Sequence, residues 1–305
     1  MSLNPPSTVK REFNSPLAQL ELSTVNLLSL TPLSCSKPPS AAELESAPNF
    51  IPGHLMAYPN ETLQSLKLHE TTIPPSYPTL VLPQDQFHKL FRCATALRLS
   101  THCRFAVLDT FHKIYSNFDV AAKFAPVACC VVSICSKFEP NFGQFSTLKR
   151  VVNVLFGAQQ PGLQKLISWE YAVLDALEWR AESVNAWTFA EFFGAACHFD
   201  RLSMAFYEYL LAICYLDSQI YHFKPLKIAA AGASLTLEKF KGIKFTVNLK
   251  QWSGVEYQDI CAEIQYIKEK FRQGKVVRGF LHEYYSSAEM GRVSVVGSDA
   301  NCIFE

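Results

Sequence analysis

The chain has 305 residues, 49% of them hydrophobic, and its 28 basic and 27 acidic side chains leave a formal net charge of +1. That length suits about two domains and a tail, with apolar residues enough for a real core. So balanced a charge gives no long-range pull toward nucleic acid or an anionic membrane, and partners of those two classes are not expected.

The opening, MSLNPPSTVKREFNS, holds no apolar run, so no secretory signal is expected. Thirteen of the 17 prolines precede Gln84, in clusters such as KPPS and PPSY. Repeated proline breaks helices and central strands, which predicts a disordered tail over 1–59. Residues 60–83 are expected to form a short helix and a linker. Asn60 offers a cap, and Leu63, Leu66 and Leu68 form a short apolar stripe.

Beyond Gln84 helical spacing dominates. Phe87, Leu90, Phe91 and Ala94 recur at i, i+3, i+4 and i+7, and Phe105, Leu108, Phe111 and Ile114 nearly so. The stretch 127–138, VACCVVSICSKF, is apolar almost all round, as a central buried helix would be. Its apolar extension, FAPVACCVVSICS (124–136), falls short of the roughly 20 residues a membrane span needs. Leu163, Leu166, Ile167, Ala172, Leu174 and Leu177 predict a further helix. The order of events then repeats: a helix over 202–217, Pro225 where a first helical turn tolerates it, another helix over 228–240, and a last one over 260–271. Laid over 127–138, the stretch AAAGASLTLEKF (229–240) has the same early cluster of small residues and the same closing Lys-Phe. The expected fold class is therefore all-α, with two tandem modules at 84–180 and 181–275 and a C-terminal tail at 276–305.

Ten cysteines without a secretory signal suit a reducing compartment. Cys129, Cys130 and Cys135 form no CxxC pair and read as small apolar side chains rather than metal ligands. No GxSxG, Walker, HExxH or GxGxxG string occurs, and His112 and His222, near helix ends, read as surface or capping residues. Neither an enzyme nor a metal or other cofactor is expected.

Several stretches resemble the cyclin family. LRLSTHCRFAVLDTFHKIY (97–115) is similar to the first-box pattern in which a Leu-rich turn leads into a helix ending "HRFY" or "DRFL". SICSKFEP (133–140) resembles "ASKFEE", and LISWEYAVLDALEWRAESVNAWTFAEFF (166–193) resembles the fifth helix, the short link and the start of a second box. YLLAICYLDSQIYHFKPLKIAAAGASL (209–235) and NLKQWSGVEYQDI (248–260) resemble second-box segments, closest to the A/B-type cell-cycle branch. The resemblance covers about residues 85–272. It implies two five-helix cyclin boxes with the third helix of each at the centre, and a cyclin-dependent kinase as partner. It also implies a regulatory, non-catalytic role in cell-cycle or meiotic control, in the nucleus with or without a cytoplasmic pool.

Residue by residue, the resemblance places Lys137 and Glu170 at the family's kinase-facing Lys and Glu. Phe138, Glu139, Tyr171, Leu174 and Trp179 fall at neighbouring contact positions, while Pro140 replaces the family's second Glu. A Lys offers donors to kinase carbonyls, and a Glu offers acceptors to its amides. Without the resemblance, the same two charges read as a solvated helix face. Ser15-Pro16 and Thr31-Pro32 have the Ser/Thr-Pro form of proline-directed phosphorylation sites.

Some family features are missing. The first helix has no "MRAIL" equivalent; the corresponding patch falls near Leu82, Gln86 and Lys89, and Ala125 stands where a docking Gln is expected. Weak or no docking of RxL-type peptides follows. The tail has neither an RxxL destruction box nor a KEN string, which fits a divergent or meiotic-type cyclin. An alternative is a cyclin-fold scaffold without kinase activation, such as a meiotic recombination (crossover) factor. A general transcription factor with paired cyclin folds would need a zinc ribbon and a basic surface, and neither is visible.

Overall fold

The computed structural model describes residues 59–72, 84–115, 120–138, 147–156, 161–181, 184–276 and 280–296, and every regular element among them is helical. A leading helix, α1 (Pro59–Thr72), precedes five helices: α2 (Gln84–Ala96), α3 (Thr101–Tyr115), α4 (Val120–Ser136), α5 (Thr147–Phe156) and α6 (Leu163–Ala176). A second set of five follows: α7 (Ala186–Ala196), α8 (Arg201–Cys214), α9 (Pro225–Lys241), α10 (Val247–Ser253) and α11 (Cys261–Val276). In each set the third helix is central. Helix α4 packs against α3, α5 and α6, while α9 packs against α7, α8, α10 and α11. The two tandem helical modules expected from periodicity are thus present, each with the five helices that the resemblance implies.

Small side chains make the central helices possible. Val127 through Cys135 is buried without interruption on α4, and Ile228 through Leu237 on α9. At Gly232 a Cβ would come within 2.7 Å of the Tyr207 ring, so only glycine lets α8 approach α9 this closely. The Tyr207 hydroxyl then donates to the Ala229 carbonyl at 2.5 Å, which satisfies a phenol buried among apolar groups.

The modules begin with the same turn. Arg98 (φ 58°) and His198 (φ 52°) adopt the left-handed conformation after α2 and α7. The next residue donates back to the helix in both cases, Leu99 to the Ala94 carbonyl at 3.1 Å and Phe199 to that of Gly194 at 2.9 Å. Ser100 and Asp200 then cap α3 and α8, accepting from the amides of Cys103 at 3.1 Å and Ser203 at 2.8 Å.

Buried groups join the modules. Phe105 on α3 stacks on Trp187 of α7 at 5.4 Å and 7°. Arg104 on α3 pairs with Glu208 on α8 at 2.9 Å, and both side chains are only 8% exposed. Tyr285 donates to the same carboxylate at 2.7 Å, and the Arg104 guanidinium donates to the Tyr284 oxygen at 2.8 Å.

Tyr284 and Tyr285 belong to the segment expected to be a C-terminal tail. It instead carries α12 (Phe280–Ser286) and α13 (Val293–Val296), with Leu281, Tyr285 and Val293 buried. Helix α12 packs across α2 and α8. At seven residues it is too short to show a helical period in the sequence.

His112 also departs from expectation. It is buried, stacked on Tyr221 at 3.6 Å, and its imidazole is pushed down to about 4 by burial, against the opposing charge of Asp109. His222 is exposed, as expected of a surface residue. The expected tail phosphorylation positions Ser15 and Thr31 lie outside the described residues, as does Glu139.

Candidate functional site

The site is built where the end of α4 meets the middle of α6, at Glu170. Helix α6 turns Leu166, Trp169 and Val173 into the core. Glu170, Tyr171 and Leu174 consequently fall on its other faces, since neighbours along a helix are separated by about 100°. At the end of α4 the chain closes a last turn, with the amides of Lys137 and Phe138 donating to the carbonyls of Ile134 and Cys135, both at 3.1 Å. This turn brings Lys137 to the rim.

The Lys137 ammonium reaches Glu170 Oε1 at 2.5 Å, and the same oxygen accepts from the Ser133 hydroxyl at 3.1 Å. Lys137 remains 45% exposed at its side chain, whereas Glu170 is 16% exposed. The carboxylate therefore sits in a fixed seat, and the ammonium bridges that seat to solvent. Beneath it, burial and then the Glu170 charge push the Cys129 thiol up to about 12, and Cys130 is raised likewise, chiefly by burial. Those thiols stay protonated and act as packing groups.

Around the pair stands an apolar rim that the fold leaves uncovered. Phe138, Tyr171 and Trp179 are 59–61% exposed, and they make up three of the seven large hydrophobic residues exposed among the described residues. The Tyr171 and Trp179 rings meet edge to face at 6.0 Å and 62°. Leu174 lies half-buried behind them. Exposed aromatic groups clustered beside a charged pair mark a surface suited to a protein partner.

The backbone after α6 holds Trp179 in place. Glu178 (φ 51°) and Trp179 (φ 61°) are successive non-glycine residues in the left-handed region. Each such residue costs on the order of 1 kcal/mol or more. The Trp179 amide donates to the Leu174 carbonyl at 2.8 Å, which closes the turn and projects the indole outward.

Of the expected contact residues, Lys137 pairs with Glu170, Tyr171 meets Trp179, the Leu174 carbonyl accepts from the Trp179 amide, and Phe138 is exposed next to Lys137 in the chain. Ser133 was not anticipated, although its place one helical turn before Lys137 is a usable signal. The strained pair at 178–179 has none, because neither residue is glycine. The two described patch positions on the first helix are both polar and differ in placement. Gln86 is turned into the interior, and Lys89 pairs with Asp85 at 3.2 Å with its ammonium 5.9 Å above the Phe124 ring; Leu82 lies outside the described residues.

Among the described residues no three metal-ligating side chains cluster, and no helix is long and apolar enough to cross a membrane. The eight described cysteines are all free, and only Cys261 is exposed.

Residues 184–299 match the family model of the cyclin C-terminal domain. No curated protein sequence matches the chain. Among solved structures, the X-ray structure of a viral cyclin from herpesvirus saimiri is similar, with a TM-score of 0.55 and 16% sequence identity over 68% of this chain and 96% of that one. The chain has the cyclin fold, and its second module is similar in sequence to cyclin C-terminal domains.

Proposed function

We propose that this protein is a cyclin-type regulatory subunit that binds and activates a cyclin-dependent protein kinase in the nucleus, in cell-cycle or meiotic control. The observation that carries the reading is the Lys137–Glu170 pair, a seated charge pair whose chain neighbours Phe138 and Tyr171 are exposed aromatic side chains, with Trp179 exposed against Tyr171. The cyclin fold supports it, because this corner lies where the resemblance puts the kinase contact. The pair supplies hydrogen bonds to main-chain groups of the kinase, and the aromatic rim supplies apolar area. No catalytic group comes from this chain. Its binding energy is greater for the kinase conformation in which the Lys–Glu ion pair for phosphoryl transfer is assembled, and it shifts the population toward that state.

The test is affinity purification of the full chain, identification of any bound kinase, and assay of its activity with and without the chain. Capture of an active cyclin-dependent kinase, lost in a Lys137→Glu variant that remains folded, is the expected result. A kinase bound but inactive would favour the scaffold reading instead. Capture unaffected by Lys137→Glu would remove this corner from the function.

A further inference from the structure

The second module carries another exposed surface, unrelated to the Lys137 corner. Residues 239–250, KFKGIKFTVNLK, hold four lysines and no acidic side chain, in a chain whose net charge is only +1. Gly242 (φ 66°) ends α9 and turns the chain toward α10. From there the apolar residues alternate in direction. Phe245 packs inward, edge to face with Tyr257 at 5.9 Å, and Leu249 is fully buried. Between and before them, Ile243 is 47% exposed and Val247 79% exposed, the largest exposure of any large hydrophobic residue described.

The segment is held firmly. The Ser234 hydroxyl donates to the Lys244 carbonyl. The Lys241 ammonium caps the end of α7 through the carbonyls of Cys197 at 2.7 Å and His198 at 3.2 Å. The Asn248 side-chain Nδ2 donates to the Ala196 carbonyl at 3.3 Å. Two β-branched side chains on an anchored loop lose little conformational freedom on binding.

Positive charge exceeds its local compensation. Lys244 and Lys268 share the single carboxylate of Glu238, at 3.9 and 3.7 Å. Lys241 is spent on carbonyls, which leaves its charge formally unbalanced. Lys250 alone has a close carboxylate of its own, Glu256 at 2.5 Å.

We infer that this loop docks an acidic peptide segment of a partner protein whose apolar residues cover Ile243 and Val247 while its carboxylates face Lys244 and its neighbours. Charge complementarity selects an acidic occupant, and the two aliphatic anchors select a peptide over a nucleic acid. The segment has no arginine for bidentate contacts to bases or phosphates, and its two phenylalanines pack inward, so it offers no stacking platform. Two exposed aliphatics beside a seven-residue helix are also too little apolar face for insertion into a bilayer.

The test titrates the full chain into a fluorescein-labelled peptide carrying two leucines flanked by glutamates. Saturable binding is expected, weakened by added salt. Val247→Asp and Lys244→Glu, each checked for an unchanged unfolding temperature, are expected to weaken it about tenfold. Replacing the peptide's glutamates with glutamines should abolish it. Lys137→Glu should leave it unchanged, so that failure here and failure of the kinase corner are told apart. No saturable binding, binding by both loop variants as tight as by the unaltered chain, or Lys244-dependent capture of duplex DNA or phosphatidylserine vesicles in place of the peptide would each overturn the inference.

Discussion

In the first module the last turn of the central helix α4 leads into Lys137 and Phe138, and Phe138 is 61% exposed. In the second module the last turn of α9 carries the same dipeptide, Lys239 and Phe240, yet Phe240 packs edge-on against Phe206 at 5.5 Å. Counting from the repeated turn at Arg98 and His198, the position equivalent to Phe206 is Ala106, a side chain with no ring to offer. The charges are inverted as well. In the first module the central helix contributes the lysine and the fifth helix the glutamate; in the second, Glu238 lies on α9 and Lys268 on α11, at 3.7 Å. One corner thus folds its aromatic group away, and the other keeps it outside beside a charge pair. The same local string serves core or surface according to what the neighbouring helix places opposite it.

The buried Arg104–Glu208 pair ties the modules together, and Glu208→Ala breaks it hardest. That change strands the buried Arg104 guanidinium and removes the acceptor of Tyr285. A loss of about 3–5 kcal/mol is expected, read as a lower midpoint in urea unfolding.

Charge reversal at the open corner tests function rather than stability. Lys137→Glu or Glu170→Lys should cost about 2–5 kcal/mol of partner binding, a loss of roughly 30- to 4000-fold. Lys137→Glu sets two carboxylates against each other at a part-exposed pair, so a stability loss of about 1 kcal/mol is expected, well below the loss of binding. The double swap restores an internal pair but not the partner's contacts, so binding measured by pull-down should stay lost. Recovery of binding would show that only the internal pair matters.

The two phenylalanines sharpen the contrast. Phe240→Ala removes a ring from a partly buried site and should destabilise by about 2 kcal/mol, below the range for a fully buried Phe. Phe138→Ala should leave thermal unfolding unchanged and weaken partner capture. Equal effects of the two on stability would contradict the opposite exposures.

The smallest expected effect is at Trp179. Glycine adopts φ near +61° without strain, so Trp179→Gly should raise stability by up to about 1 kcal/mol while partner binding falls. Thermal unfolding alongside a pull-down separates the two readouts. Lower stability would mean that the Tyr171–Trp179 contact outweighs the backbone strain.

A helical core, two similar sets of helices, and a small-residue helix at the centre of each are all legible along the chain. These follow from period, composition and order, which are local and survive in one dimension. Lys137 and Glu170 were legible only through a resemblance, because they are separated by 33 residues and no period links them. Long-range packing settles which of two Lys-Phe strings stays outside, holds Trp179 in a left-handed turn, buries His112 and Tyr285, and sets Tyr284 half-buried against the core. Each depends on a surface brought from far along the chain: Phe206 against Phe240, Tyr221 against His112, Arg104 and Glu208 against the tyrosines of α12. Burial is a property of the assembled neighbours, and a short segment such as 280–286 carries too few residues to announce which neighbours those will be.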